Sequence, residues 1–285
     1  MVARAGLIAG ASLAAAAAVA GCGGSSSAQE TPTTVAGPKI LHIVFPEGFT
    51  RIQMAERVAV VRGIARRNRH VTPKMTERGY LAATALSTLP GRFAGDRRRR
   101  PLEGFLFPAT YAFFSDETAR DLVRRQLRAF RREWARVDLR YARTKNLTPY
   151  DVLVIASMIE REVAVPRERR LVAAVIYNRL HARMPLQIDA TLRYGLDIPP
   201  TQAITQSQLA SPSPYNTRIR SGLPPTPIAN PGLASIHAAA HPAHVPYLYF
   251  VRKPDCRSHF FTASAAKFDA YTRKGLECSR GRPAS

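Results

Sequence analysis

The chain has 285 residues, of which 42 are Lys or Arg and 20 are Asp or Glu, a formal net charge of +22. One large or two modest domains fit this length, and 46% apolar with 22% charged residues excludes a disordered chain and a multi-span membrane protein. Three cysteines with no CxxC and no Cys/His cluster exclude a zinc framework or disulfide-dense miniprotein, while a pI near 11.0 points to a polyanionic partner: nucleic acid, anionic membrane or anionic wall polymer.

Residues 1–21 carry one charge, Arg4, ahead of a small-residue apolar run from Gly6 to Ala20. The run falls short of the roughly 20 residues a membrane-spanning helix needs and reads as a signal peptide. Val19-Ala20-Gly21-Cys22 resembles the lipobox of bacterial lipoproteins, which predicts lipid attachment at Cys22. An uncleaved anchor helix is the alternative. Residues 22–38 then form a flexible Gly/Ser/Thr/Pro-rich tether. Either version places the remainder on the extracytoplasmic face of a bacterial cell membrane. Export demotes nucleic acid as a partner and leaves Cys256 and Cys278 as a pair able to form a disulfide.

Lys39–Phe45 (KILHIVF) is β-rich and predicts a strand. After the Pro46-Glu47-Gly48 turn, Thr50 caps a helix to about Arg66, with Ile52, Ala55, Val58 and Ala59 on one face. A second helix follows Thr72-Pro73 and reaches about Leu89, and a basic loop ends at Pro101. Arg97–Arg100 reads as a solvated charge run. Leu102–Ala112 is aromatic and bent at Pro108, and helix returns over Asp116–Val137. Thr148-Pro149 opens the next helix, Tyr150 to about Val163, with Val152, Ile155, Ala156 and Ile159 buried. Pro166 restarts helix to about Arg183. A proline-rich stretch, Met184–Asn230, has the length of a loop that lines a cleft. A short helix at Ser235–Ala240, strands at Tyr247–Lys253 and His259–Thr262, and a helix from Ala263 to about Lys274 complete the chain.

Among so few acids, Glu160 and Glu162 stand out at the end of an apolar helix. Residues two apart on a helix point about 200° from one another, so one carboxylate faces the interior and the other faces away. A glutamate against apolar surface holds its proton and suits general-acid chemistry. The bland alternative is a pair of surface acids neutralised by Arg161 and Arg167. Gln187, Asp189 and Thr191 alternate, so an extended segment would present three polar groups on one side. Tyr215 and Asn216, within Ser213–Thr217, add the ring and amide typical of sugar recognition, although turn geometry alone also selects such residues.

Glu103–Tyr111 (EGFLFPATY) resembles the EGxLFPxTY signature of the endolytic murein transglycosylase family (YceG-like, MltG type). Ala156–Glu162 (ASMIERE) is similar to that family's ASIIEKE block. The same order continues through Val175–Leu180, Leu186–Asp189, Ser213–Thr217, Gly222–Pro225, Ile228–Gly232, Ala239–Pro242 and Tyr247–Val251. The resemblance spans about Lys39 to Tyr271. It implies an α+β fold: a small LysM-like β-α-α subdomain over 39–95 and a larger mixed α+β catalytic domain over 96–275, before a tail of 276–285. It also implies one essential glutamate. Set beside the Arg-Gln-Glu-Ser type block of other lytic transglycosylases, that role falls on Glu162, with Glu160 the runner-up. The family's single transmembrane anchor is replaced here by the short apolar run and Cys22.

The chemistry so implied cuts MurNAc–GlcNAc bonds within peptidoglycan strands. Ordinary glycosidases generally use two carboxylates. A lytic transglycosylase instead uses the substrate's own 6-hydroxyl, leaving a 1,6-anhydro end, so one carboxyl group can serve as acid and then accept that hydroxyl's proton. Gln187, Asp189, Thr191, Tyr215 and Asn216 are the expected substrate-binding residues. No metal or organic cofactor is required. Two other readings stay open: a hydrolytic muramidase with Asp189 activating water, and a non-catalytic wall-binding lipoprotein. Peptidoglycan, the membrane and cell-elongation synthases are the partners the resemblance implies.

Overall fold

The computed structural model describes residues 39–275, except 86, 88, 90–92 and 94–98. The signal peptide, Cys22, the tether, Cys278 and the tail expected from the sequence lie outside the described residues. Among those described, no helix is long and apolar enough to cross a membrane.

Strand β1 (Leu41–Val44) buries Leu41 and Ile43 and exposes the alternate residues, the pattern of a sheet with one wet face. Helix α1 (Arg51–Arg69) starts at Thr50 through a capping box with Gln53 and ends at His70 in the left-handed conformation. Its buried stripe is Met54, Ala55, Val58 and Ala65, so the stripe predicted from Ile52 is displaced and Ile52 is exposed. Helix α2 (Glu77–Thr84) is shorter at both ends than predicted. The bent aromatic segment then supplies β2 (Thr110–Phe113), which pairs antiparallel with β1, Leu41 opposite Phe113. A β-α-α-β unit results. Its core joins Ile43, Phe45, Met54, Tyr80, Leu106 and Phe113 to Leu122 of α3 (Ala119–Trp134).

The larger core is built around α5 (Pro149–Glu162), which follows the short, unpredicted helix α4 (Arg140–Thr144). Thr148 and Asp151 form the capping box of α5 with Pro149 in its first turn, and every residue from Val152 to Ile159 is buried. A 3-10 turn (Pro166–Glu168) leads into α6 (Arg169–His181). The proline-rich stretch contains α7 (Asp189–Gly195) and α8 (Gln206–Leu209). Helix α9 (Leu233–Ala240) packs on α5 and α6. The hairpin of β3 (Tyr249–Arg252) and β4 (His259–Thr262), with Arg252 opposite His259, precedes α10 (Ala265–Arg273). Cys256, in the hairpin turn, is disulfide-bonded.

Polar side chains couple these parts. The buried Glu103 carboxylate accepts the Arg51 N–H at 3.0 and 3.1 Å, the Asn230 Nδ2 amide at 2.8 Å and the Tyr194 hydroxyl at 3.1 Å. It thereby ties the first turn of α1 to α7 and to the loop before α9. Burial raises its pKa to about 7, against the pull of those donors. The neighbouring Gly104 has φ +88°, and a Cβ there would meet the Pro227 ring at 2.6 Å. Gly104→Ala is therefore expected to cost about 2–4 kcal/mol, from left-handed strain plus overpacking, as read by chemical denaturation.

Candidate active site

The last turn of α5 carries Glu160, Arg161 and Glu162 on from the buried Ile159. Helical periodicity splits the two glutamates as expected. Glu160 Oε2 accepts the Gly232 N–H at 2.9 Å, capping the start of α9. Glu47 crowds the same place, where a Cβ on Gly232 would lie 1.9 Å from its Oε1. Burial, and then repulsion from Glu160, raises the Glu47 carboxyl above its ordinary value. Glu160 is thus a structural pin between two helices.

Glu162 points the other way and lines a cavity of about 980 Å³. Its side chain is 13% exposed. Burial pushes its carboxyl above the ordinary glutamate value, Asp189 reinforces the shift, and Arg252, His259 and the Ala190 N–H oppose it. Its contacts are sparse for a buried acid. The Ala190 N–H reaches Oε1 at 3.4 Å, and Arg252 Nη2 lies 3.8 Å from Oε2. That guanidinium donates instead to the Glu162 backbone carbonyl at 3.3 Å. Among the described residues, no bidentate arginine fork neutralises the carboxyl group.

Gln187 and Asp189 line the same cavity. Gln187 sits at φ +55°, its Oε1 accepting from Arg179 Nη1 at 3.1 Å. Arg179 also donates to the carbonyls of Pro185, Leu186 and Leu248, holding the loop and β3 together from α6. The extended segment expected over 187–191 is overturned at Asp189, which opens α7. An acidic residue in a first turn complements the exposed N–H groups and the helix dipole, which favours helix there over extension. Asp189 Oδ1 accepts from Arg218 Nε at 2.9 Å and Nη2 at 2.5 Å.

Thr191, Tyr215 and Asn216 lie behind the wall and do not line the cavity. Thr191 Oγ1 donates to the Ile188 carbonyl at 2.7 Å and meets Thr217 Oγ1 at 3.0 Å, fully buried. Asn216 Nδ2 donates to the carbonyls of Leu209 and Ser211, and its Oδ1 accepts the Arg218 N–H. The Tyr215 hydroxyl pairs with Thr226 Oγ1 at 2.8 Å and its ring packs edge-on to Tyr194. Gly195 makes room for it, since a Cβ there would meet Tyr215 Cβ at 2.4 Å. These three residues build the loop that carries Gln187, Asp189 and Arg218.

Sequence reasoning missed the far wall. Arg179, Arg218, Arg252 and His259 also line the cavity, and its arginines outnumber Glu162 and Asp189. His259 Nδ1 lies 2.7 Å from Glu168 Oε2, a buried pair whose members are 91 residues apart in the chain. No local spacing signals such a pair.

The comparisons with known proteins agree with this architecture. The YceG-like family matches residues 24–274. An endolytic murein transglycosylase of Bacillus subtilis is 36% identical over 155 residues, covering 54% of this chain and 43% of that protein. One from Streptococcus pneumoniae is 31% identical over 245 residues, covering 80% of this chain and 42% of its own length. The chain therefore spans about two fifths of the length of these curated relatives. A crystal structure of a yceG-like protein from Listeria monocytogenes superposes with a TM-score of 0.65 at 28% identity, covering 81% of this chain and 75% of that one. With a match across most of its residues and the same mixed α/β architecture, the chain belongs to the YceG-like family.

Proposed function

We propose that the protein is an endolytic peptidoglycan lytic transglycosylase and that Glu162 is its general acid. The observation that carries this is a largely buried glutamate carboxyl group, not forked by an arginine, on the wall of a cavity of about 980 Å³, beside an Asp189 that is tied up with Arg218. A group whose environment favours the protonated form is poised to protonate the glycosidic oxygen as the bond to the MurNAc C1 breaks. The MurNAc 6-hydroxyl closes on C1 to form the 1,6-anhydro ring, an intramolecular attack with a large effective-molarity advantage. The proton released by that hydroxyl restores Glu162 to its acid form. Gln187 and Asp189 face the sugars, while Thr191, Tyr215 and Asn216 support binding through the loop they hold.

Purified protein acting on intact sacculi is expected to release glycan fragments with anhydro ends by mass spectrometry. Reducing ends alone would instead indicate a hydrolytic muramidase. The tight pairing of Asp189 with Arg218 argues against Asp189 as a water-activating base. Glu160→Gln is expected to keep turnover within a few-fold, since its carboxylate caps α9 and lies away from the cavity. Loss of turnover in a folded Glu160→Gln protein would hand the acid role to Glu160.

The β-α-α-β unit, with β1 and β2 antiparallel, supports a LysM-like reading of the N-terminal part. Glycan docking there would complement cleavage. The reading of residues 1–21 and Cys22 supports attachment to the cell membrane on its outer face, beside the wall and the cell-elongation synthases.

A further inference from the structure

Given the transglycosylase reading, on which this rests, the geometry points to Arg193 of α7 as the anchor for a carboxylate of the peptide stem that MurNAc carries. The cavity thereby selects stem-bearing strands over bare ones. The sugar rings of such a strand are uncharged, and its charge sits on the stem. A bare glycan therefore gives no reason for the five arginines, Arg161, Arg179, Arg193, Arg218 and Arg252, that line the cavity beside two acids. Four of them are engaged elsewhere. Arg179 holds the carbonyls of Pro185, Leu186 and Leu248. Arg218 gives its Nε–Nη2 edge to Asp189. Arg252 turns Nη2 to the Glu162 carbonyl and lies beside that carboxyl group. Arg161 is exposed and reaches back to the Gly48 carbonyl at 3.2 Å.

Arg193 differs in the edge it keeps. Its Nη1 donates to the carbonyls of Pro199 and Gln202, both at 2.8 Å. The Nε–Nη2 edge, which can take a carboxylate through two parallel hydrogen bonds, has no partner among the described residues. Both of its atoms reach solvent. The nearest acid on the helix, Asp189, is taken by Arg218. The two carbonyls hold the guanidinium in place before substrate arrives, so little side-chain freedom is lost on binding. An arginine kept only to fasten the loop over 199–202 needs Nη1 alone.

Its place along the wall fits a stem carboxylate. Asp189 and Arg193 stand at i and i+4 on α7, one turn or about 5–6 Å apart on the same face. Next to Asp189, the Ala190 N–H reaches the Glu162 carboxyl at 3.4 Å. With the MurNAc C1 at Glu162, the lactyl arm on C3 starts close to the reacting carbon and carries the stem away from it. An extended peptide advances about 3.3–3.6 Å per residue. The free α-carboxylate of the stem's γ-linked glutamate, one residue past the lactyl-bound alanine, thus comes within reach of a group one helical turn from the acid. Exposed Pro200, Thr201 and Gln202 line the cavity beside it and bring no charge to oppose an anion.

The test measures binding and turnover by the full chain on three uncrosslinked substrates. These are strands with intact stems, the same strands with stem carboxylates converted to amides, and strands stripped of stems by an amidase. The parent is expected to bind and cleave intact strands roughly 10- to 100-fold better than the other two, mainly through KM. Arg193→Gln is expected to weaken binding of intact strands by that factor and to treat the three alike, and Arg193→Lys to recover part of the preference. A parent indifferent to amidation overturns the proposal without any variant having to fold. So does a folded Arg193→Gln protein that keeps the preference or loses affinity equally for all three. Stripped strands bound as well as intact ones would place the recognised carboxylate on the lactyl group and overturn the stem assignment. Failure of the transglycosylase reading is distinct: no substrate then yields anhydro ends, while the affinity differences still report on Arg193.

Discussion

Glu162→Gln is expected to lower kcat by roughly 10²–10⁴ while leaving glycan binding in place, because it removes the transferable proton and little else. Steady-state cleavage of sacculi, with glycan pull-down as the binding control, checks both halves. Retained release of anhydro fragments would remove Glu162 from the mechanism. The sign of the pH effect follows from the raised carboxyl. If Glu162 is the general acid proposed above, its protonated form is the active one, and activity is expected to be lost as pH rises through its folded-state pKa. Stability has the same sign. A carboxyl raised on folding contributes stability that is fully present below its unfolded value and lost as pH rises through the folded one. Glu162→Gln is therefore expected to lose less stability than the parent on going to alkaline pH.

Glu103→Leu is expected to be the most damaging single change away from the cavity. It strands the Arg51 N–H, the Asn230 amide and the Tyr194 hydroxyl, all part of one buried network. At about 1–3 kcal/mol for each unpaired donor and with partial relaxation, a loss of roughly 3–5 kcal/mol follows. Glu103→Gln keeps one acceptor oxygen and separates charge from connectivity. In the parent, a pKa of about 7 against an ordinary 4.5 corresponds to roughly 3 kcal/mol of linkage. That share is fully present below the unfolded carboxyl value and is lost as pH rises through about 7. Denaturation midpoints at pH 5 and pH 8 are expected to differ in the parent and to converge in Glu103→Gln. A parent profile flat between those values would show that Glu103 is ionised throughout.

Much of the fold was legible because helix ends are local chemistry. Thr50 and Thr148 announce their helices through hydroxyl caps and the residues three positions on. The His259–Thr262 strand was placed to the residue. The site was legible in part. Glu162, Gln187 and Asp189 converge on one cavity, whereas Thr191, Tyr215 and Asn216 satisfy backbone groups of the loop behind it. Their residue types are the same for either use, and only the neighbouring carbonyls distinguish them. At Asp189 a period-two pattern coincided with a favourable helix start, and the helix prevailed.

By itself, the sequence determined the element types, the caps, the ordered family blocks and the opposite facing of Glu160 and Glu162, since each depends on residues within a turn or two. Tertiary structure alone decided which of those glutamates meets a cavity and which caps α9. It also decided that Glu103 would join three distant segments and that His259 would find Glu168 across 91 residues. The physical reason is range. Torsional preference and hydrogen bonds to near neighbours are written in adjacent residues, whereas desolvation and partner choice for a buried polar group depend on whatever the packed chain brings against it.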